Sequence, residues 1–320
     1  MNVTKEEKQF AEALKSVSRN LHIKEYIQQS SELYPLFQRA AKRFVTGEAK
    51  KDGIAIGQKL TDLGYRISLE FIGENTMSRE MCVQAKNEFL ALIRECGKQG
   101  LRTRISFDLS HIGLVIDPEF ALQNLLEMAK EANEYGLSLM ISAEESNKVE
   151  RVLSVYKKAV SQYENIGVTI QAQLYRSLED LKELLNYPGT IRIVKGAFQE
   201  PADICIPRSN TLNERYLELV ALCVRANHAV SIATHDETIY KRIIEQDYFT
   251  KPYVEAEMLY GVRPDLCNEL KSEKRPVRVY LTYGNEWYLY FTHRVAEYPP
   301  NIYIAVRDMI EGAENTFEYY

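Results

Sequence analysis

The fold is decided by the apolar run TIRIVKG at residues 190–196 and by the similar run GVTIQAQ at 167–173 that precedes it. Both are short and rich in β-branched residues, which is typical of strands buried on both faces. Six more runs of this kind occur along the chain: RISLEF (66–71), TRISFDL (103–109), LSLMIS (137–142), AVSIAT (229–234), YVEAEML (253–259) and VRVYL (277–281). The sequence therefore predicts eight strands.

The segments between these runs predict helices, because apolar residues recur at helical spacing in ALQNLLEMAKEANEYG (121–136) and NERYLELVALCVRAN (213–227). Eight alternating strand and helix units predict an α/β fold, a (β/α)8 TIM-type barrel. The alternative is an open doubly wound sheet. Its first strand-to-helix turn should carry a GxGxxG motif, and this chain has none.

The N-terminal segment has a different pattern. Phe10, Leu14 and Val17 are spaced as on one helix face, and no β-rich run precedes residue 49. We expect a helical N-terminal cap over residues 1–48 and the barrel over residues 49–320.

Composition narrows the class of protein. The 320 residues include 40 Lys plus Arg and 45 Asp plus Glu, a formal charge of −5 with no long basic run, which is unsuited to binding nucleic acid. No apolar stretch approaches the roughly 20 residues that span a bilayer, and no signal-peptide pattern is present. Five cysteines without a CxxC pair suit a reducing compartment. We expect a cytoplasmic protein without nucleic-acid partners or transmembrane segments.

The carboxyl ends of the predicted strands are unusually polar. In a barrel these ends meet at one face, which is where such folds hold their active sites. The polar residues there include Glu70, Glu74, Asp108, His111, Ser142, Gln171, Arg192, Lys195, Thr234, His235, Glu255, Glu257 and Tyr280.

Lys195 allows three interpretations. It could form a Schiff base, as in barrel aldolases; with Arg192 it could face an electron-rich cofactor; or it could pair with Glu255 or Glu257. His235 belongs to no HxH or HExxH pattern, so we expect no metal site.

Together these motifs resemble the proline dehydrogenase family, FAD enzymes built on a distorted (β/α)8 barrel, and especially its small monofunctional bacterial members. The resemblance lies in the order and spacing of KRFVTGE (42–48), EFIGEN (70–75), IGVTIQAQLYRSLEDL (166–181), IRIVKGAFQE (191–200), SIATHDE (231–237), EAEMLYGVR (255–263) and VRVYLTYGNEWYLYFTHRVAE (277–297).

The resemblance implies a complete FAD site. Gln171 and Arg192 match the pair that holds the isoalloxazine ring, with Arg192 near the flavin N5. The remaining positions that match the family's cofactor side are Lys195, Gly196 and Ala197 in the KGA segment, Thr234 and His235 in the ATH motif, and Glu255.

The substrate side departs from the family pattern. Asp108 stands where the family has a Lys that helps to bind the carboxylate of proline, and His293 replaces the first of two paired Arg. Ser142 replaces an Asp, Glu257 a Gln and Phe198 a Tyr, whereas the other pocket positions, Tyr280, Tyr290, Arg294 and Glu297, match the family. The charged substitutions make the pocket three units more negative than the family pattern.

We therefore expect an FAD-dependent dehydrogenase or oxidase acting on a C–N bond, with a substrate other than ordinary free proline. A proline-like ring with a masked carboxylate, or an amine with an additional cationic group, would suit the pocket. Arg192, Asp108 and Glu257 are the expected catalytic residues. Asp108 or Glu257 would orient the ammonium or accept its proton, provided that burial raises the pKa of that carboxyl.

Three alternatives stay open: a genuine proline dehydrogenase that converts L-proline to 1-pyrroline-5-carboxylate, a catalytically silent flavin-binding relative, and a Schiff-base aldolase. The electron acceptor is equally open among quinone, oxygen and another protein. Contact with a membrane surface remains an alternative to a purely cytoplasmic location.

Overall fold

The computed structural model describes residues 4–18, 20–297, 301–312 and 316–320. Eight parallel strands close a barrel in chain order, so the predicted (β/α)8 fold is confirmed. The strands are β1 (Arg66–Phe71), β2 (Thr103–Phe107), β3 (Ser138–Ile141), β4 (Ile166–Gln171), β5 (Ile191–Val194), β6 (Val230–Ala233), β7 (Val254–Leu259) and β8 (Val277–Tyr283). Most lie within the predicted runs, whereas β8 extends two residues further.

The two faces of each strand differ in polarity. On β1, Ile67 and Leu69 are fully buried outside the barrel against the helices, whereas Ser68 and Glu70 point into it. The same alternation continues around the barrel, so the main hydrophobic core lies between the strands and the surrounding helices. The barrel interior, in contrast, is filled with polar and charged side chains.

Eight helices surround the barrel. They are α4 (Lys50–Asp62), α5 (Arg79–Lys98), α6 (Pro118–Glu134), α7 (Val149–Val160), α8 (Ser177–Leu184), α9 (Asn210–Arg225), α10 (Glu237–Glu245) and α11 (Pro264–Ser272). Helix α4 precedes β1 and packs against both β1 and β8. Helix α4 thus occupies the position that the helix after β8 holds in a regular (β/α)8 barrel. The barrel is distorted in this respect.

Five further helices lie outside this ring: α1 (Lys5–Ser18), α2 (Leu21–Gln29), α3 (Leu33–Ala41), α12 (Trp287–Glu297) and α13 (Asn301–Glu311). Short 3₁₀ turns occur at Leu109–His111, Ser146–Lys148, Tyr248–Thr250 and Thr316–Tyr319. Among the described residues, no helix is long and apolar enough to cross a bilayer.

The N-terminal helices share a second hydrophobic core with the C-terminal ones. Phe44 packs there with Trp287 and Phe291 of α12. Arg43 donates a bidentate pair of hydrogen bonds to the fully buried carboxylate of Asp308 in α13, at 2.5 and 2.9 Å. The expected cap over residues 1–48 therefore folds onto the end of the chain that follows β8.

Candidate active site

The centre of the barrel holds Arg192 on β5. Its guanidinium donates to Thr169 Oγ1 at 2.9 Å, to Ser142 Oγ at 3.1 Å and to Glu257 Oε1 at 3.2 Å. The same guanidinium lies 5.1 Å from the centroid of the Tyr280 ring, within cation–π range. Residues on or next to four strands thus hold the Arg192 side chain in place. It forms the bottom of the cavity that opens at the C-terminal end of the barrel, and we call it the floor.

Below this floor lies a buried ion network, which we call the lumen network; its members are Arg66, Arg104, Arg192, Ser231, Glu255, Glu257 and Arg278. Glu255 accepts hydrogen bonds from Arg278 at 2.8 and 3.1 Å and from Arg66 at 2.9 Å, and pairs with Arg104 at 2.9 Å. Glu257 pairs with Arg104 at 3.3 Å as well as with Arg192. Each carboxylate is held by at least two arginines.

The arginines control the ionisation of both glutamates. Burial alone would raise the pKa of Glu255, but the charges of Arg278 and Arg104 more than offset it, so the pKa lies well below the ordinary range. For Glu257, Arg192 and Arg104 outweigh burial in the same way and lower the pKa. The raised pKa on which a proton-accepting role of Glu257 depends is therefore not found, and this environment does not support that role.

Glu255 also occupies a different place from the one expected. It comes before Glu257 on β7, closer to the N-terminal end of the barrel, and its carboxylate is enclosed by arginines of β1, β2 and β8. This position supports a role in holding the lumen network together and does not support contact with a cofactor.

Above the floor, a group of carboxylates lies on one side of the barrel opening; we call it the acidic quadrant, formed by Glu70, Glu74, Asp108 and Glu144. Burial raises the pKa of Asp108 well above its ordinary range, and the negative charges of Glu144, Glu70 and Glu74 raise it further. The condition on which the expected role of Asp108 depends, a pKa raised by burial, is met in this environment, and the role itself stays a prediction. Burial, and to a lesser degree Glu74, raises the pKa of Glu70 to about 7.

One cation in this quadrant was missed by the sequence reasoning. Lys148, which is 7% exposed, pairs with Glu144 Oε2 at 3.1 Å and with Glu145 Oε2 at 2.6 Å, and donates to Asn75 Oδ1 at 2.5 Å. In the sequence Lys148 lies three residues after Glu145 and four after Glu144, and this spacing could have indicated the two ion pairs. The turn that brings it inward, Ser146–Lys148, could not be inferred from periodicity.

Tyr280 connects the two sides of the opening. Its hydroxyl donates to Glu70 Oε2 and lies 3.5 Å from Ser142 Oγ, which itself accepts from Arg192. Residues expected on the substrate side, Ser142 and Tyr280, are therefore in contact with the Arg192 floor. Glu70, absent from the predicted site, joins them.

The expected substrate helix is α12. The Arg294 guanidinium lies 4.9 Å from the ring centroid of Tyr290, and its charge acts on the pKa values of both Glu70 and His235. Arg294 therefore faces the barrel opening. His293 is partly buried on the same helix, and the side chain of Glu297 lies outside the described residues.

The residues expected on the cofactor side lie at the ends of β4, β5 and β6. Gln171 donates to the Glu144 carbonyl at 2.7 Å, and its Oε1 is buried without a hydrogen-bond partner among the described residues. Gly196 has φ +108°, and a Cβ there would come within 2.3 Å of Gln173 Cδ, so a side chain at this position is disfavoured. Ala197 is exposed, and the Phe198 carbonyl accepts from Gln173 at 3.2 Å.

Lys195 is held by Asp236, the N-cap of α10, at 2.5 Å, and not by Glu255 or Glu257 as one interpretation had it. This contact engages the nitrogen that a Schiff base would require. The aldolase alternative therefore finds no support in this geometry.

His235 is neutral in this environment. Burial, with the charges of Arg294 and Arg263, lowers its pKa to about 3. The Leu259 N–H donates to His235 Nε2 at 3.0 Å, which leaves Nδ1 as the protonated nitrogen and a hydrogen-bond donor. Neighbouring Thr234 accepts from the Asp236 N–H at 3.2 Å.

Comparison with known proteins identifies the family. The family model described as proline dehydrogenase matches residues 54–290, from α4 to α12. The chain belongs to the proline dehydrogenase family. The expectation of a flavin-dependent oxidoreductase acting on a C–N bond is thereby confirmed.

Individual members of the family match over most of their length. The chain is 34% identical over 280 residues to proline dehydrogenase of Deinococcus radiodurans, covering 85% of this chain and 90% of that one. It is 29% identical over 274 residues to proline dehydrogenase 1 of Bacillus subtilis strain 168, covering 85% and 91%. Among solved structures, proline utilization A from Bdellovibrio bacteriovorus superposes with a TM-score of 0.75 at 16% identity, covering 86% of this chain and 36% of that one.

Proposed function

We propose that this member of the proline dehydrogenase family uses FAD to oxidise the C–N bond of an amine other than ordinary free proline. The preferred substrate is a proline-like ring whose carboxylate is masked, or an amine that carries an additional cationic group. The observation that carries this proposal is the acidic quadrant around Asp108, which stands where the family pattern has a lysine. A free carboxylate placed there would meet other carboxyl groups where the family pattern has a lysine.

The residues at the ends of β4, β5 and β6 fit a flavin. Gln171 Oε1 is a buried acceptor that lacks a partner, and Arg192 offers a fixed cation. The neutral His235 presents a donor, and the absence of a side chain at Gly196 allows Gln173 to pack against the backbone there. When bound, FAD supplies the acceptor for a hydride and its two electrons.

The remaining groups would bind and orient the substrate. Asp108 can accept a hydrogen bond from a substrate ammonium, and Arg294 on α12 would hold a carbonyl or one oxygen anion. Tyr280, fixed by Glu70 and Ser142, shapes the space above Arg192. Phe198 and Tyr290 would contribute apolar surface for a ring, with His293 beside them.

Genuine proline dehydrogenase activity is the second candidate. It is favoured by Lys148, which brings a buried cation into the acidic quadrant that the substitution pattern alone did not reveal. It is favoured as well by the relatives, whose names state proline as their substrate. Because Lys148 is already paired with Glu144 and Glu145, we rank this candidate second.

Anaerobic flavin bleaching separates the two candidates. The FAD-loaded protein is mixed with L-proline, with prolinamide, whose carboxylate is masked, and with a diamine such as putrescine. We expect prolinamide or the diamine to reduce the flavin at least about tenfold more efficiently than proline, since a tenfold ratio needs only 1.4 kcal/mol. Faster reduction by proline would establish the second candidate. Protein that takes up no FAD would overturn both.

The double variant Asp108→Lys, His293→Arg provides the matched gain-of-function arm. It should acquire proline-dependent flavin reduction at the expense of reduction by the cationic amine. Asp62→Lys, a charge change as large as that of Asp108→Lys alone, lies at the C-terminal end of α4 just before β1 begins and should change neither. Oxygen consumption with and without an added quinone then identifies the electron acceptor.

A further inference from the structure

A continuous polar chain crosses the barrel opening. It begins at Glu70 near the end of β1, continues through the Tyr280 hydroxyl of β8 to Ser142 directly after β3, and ends at the Arg192 guanidinium of β5. The Ser142 Oγ to Tyr280 Oη distance is 3.5 Å, and that from Arg192 Nη2 to Ser142 Oγ is 3.1 Å. Two hydroxyl groups therefore connect Glu70 to the floor, above which the reacting carbon would lie.

We propose that Glu70 accepts the proton of the substrate ammonium, with Tyr280 as the hydrogen-bonded partner that positions it. This inference rests on the proposed amine oxidation and names a residue for a step that the proposed function leaves unassigned.

The other carboxylates near the opening are less suited to this step. Glu257 is bound by Arg104 and Arg192 and is held in its ionised form. Asp108 lies among Glu70, Glu74 and Glu144, and Lys148 is the cation that acts on it. This environment favours binding of the substrate as a cation and disfavours its conversion to a neutral amine. Glu70 alone combines a position at the acidic quadrant with a hydrogen bond toward the floor.

The charges around Glu70 suit reversible proton uptake near neutral pH. Arg192 from β5 and Arg294 from α12 favour its ionised form, whereas burial, Glu74 from the loop after β1 and Asp108 from β2 oppose it, and the Tyr280 hydroxyl donates to it. The result is a pKa of about 7, above the ordinary 4.5. Transfer from an alkylammonium of pKa about 10 is then roughly 300-fold less unfavourable than transfer to an ordinary glutamate.

The step balances in atoms and charge. One N–H bond of the ammonium breaks and one O–H bond forms on Glu70, so a cation and an anion become a neutral amine and a neutral acid. The nitrogen lone pair released in this way would form the C=N bond as a hydride, with two electrons, leaves the adjacent carbon, and bound FAD would supply its acceptor. The product departs as a protonated imine.

Infrared difference spectra test the proposal without a substrate. Between pH 5 and pH 9, FAD-loaded protein should lose a protonated carboxyl band with a midpoint near pH 7, and Glu70→Gln should abolish this change. Tyr280→Phe removes a donor to the ionised form and should move the midpoint upward. Asp108→Asn identifies any contribution of Asp108, and Glu134→Gln, an exposed residue at the end of α6, is the matched control. An unchanged band in Glu70→Gln overturns the proposal.

The pH dependence of flavin reduction by prolinamide supplies the second readout. Glu70→Gln should slow reduction at least tenfold at pH 7 yet approach the unmodified rate at pH values where solution already provides the neutral amine. Glu70→Asp should recover part of the loss. A structural defect would slow reduction equally at every pH, and that result would also overturn the proposal. If neither amine nor proline reduces the flavin of the unmodified protein, the proposed function itself fails, and the role of Glu70 fails with it, while the infrared result stands as a property of the fold.

Discussion

The lumen network and the acidic quadrant contain the same kind of side chain in opposite states. Glu255 and Glu257 are buried among arginines and have lowered pKa values, whereas Glu70 and Asp108, a few residues away along neighbouring strands, have raised ones. Burial acts in the same direction on all four. The difference teaches that the counterions, and not depth in the protein, decide which carboxylates stabilise the fold and which are available for chemistry.

The lumen network also departs from the usual barrel interior, which is packed with layers of bulky aliphatic side chains. Here four arginines, Arg66, Arg104, Arg192 and Arg278, face two glutamates. Three of these arginines are buried and Arg66 is half-exposed, so positive charge exceeds negative charge in the network. Negative charge that developed above Arg192 would be stabilised by this excess.

The comparison is tested most strongly by Glu255→Gln. The substitution leaves Arg66, Arg104 and Arg278 close together without the carboxylate that separates their charges, and breaking a buried ion pair in this way costs about 3–5 kcal/mol. Urea denaturation should show this loss in the free energy of unfolding. Glu134→Gln, on the surface, should stay within about 0.5 kcal/mol of the unmodified protein. A loss below 1 kcal/mol for Glu255→Gln would mean that the network contributes little.

In contrast to Glu255→Gln, Glu70→Gln should increase the free energy of unfolding above neutral pH. Because the pKa of Glu70 is raised in the folded protein, its contribution to stability declines as pH rises from about 4.5 to about 7 and stays low above that range. The glutamine variant should therefore be more stable than the unmodified protein at pH 8, by about 2 kcal/mol, and equal to it at pH 4. Denaturation at both pH values provides the check, and greater stability at pH 4 alone would contradict the assignment.

Ser231→Ala should destabilise the lumen network less than Glu255→Gln does. Its hydroxyl donates to Glu255 Oε1 at 3.2 Å and to Glu257, so alanine removes hydrogen bonds to charged groups. We expect a loss of about 1.5 kcal/mol in the free energy of unfolding and no larger loss at pH 4, because the hydroxyl stabilises the ionised form of glutamates whose pKa values are lowered. A loss that grows as the pH falls would contradict a hydrogen bond to ionised carboxylates.

Asp108→Asn should affect binding more than stability. The variant removes a charge that burial and Glu144 already disfavour, so stability should rise slightly at neutral pH. A cationic amine should bind at least about tenfold more weakly, because a hydrogen bond to a charged group contributes about 1.5 kcal/mol or more. Titration of the flavin absorbance with putrescine measures this change. Equal affinity in both proteins would remove Asp108 from the proposed substrate site.

The sequence predicts the barrel well for a simple physical reason. Each strand is a local pattern of apolar and polar residues, as in RISLEF, and eight such patterns at regular intervals leave few alternative folds. The gathering of polar strand ends at one face follows from the same pattern, so Arg192, Ser142 and Tyr280 could be expected near each other.

The role of each carboxylate could not be predicted in the same way. Glu255 meets Arg66, Arg104 and Arg278 because the closed barrel brings β7, β8, β1 and β2 together in a particular register. That register depends on the whole barrel and leaves no local mark in the sequence. Lys148 was missed for a related reason, since an irregular turn brings it inward.

The sharing of one core by α1–α3 with α12 and α13 bears on how the protein is made. The ion pair between Arg43 and Asp308 joins residues 265 positions apart, and Phe44 packs against Phe291 of α12. During synthesis from the N-terminus, these first helices emerge long before their packing partners exist. Their apolar faces stay uncovered until α12 and α13 have been synthesised, so this segment is made before the barrel but docks after it.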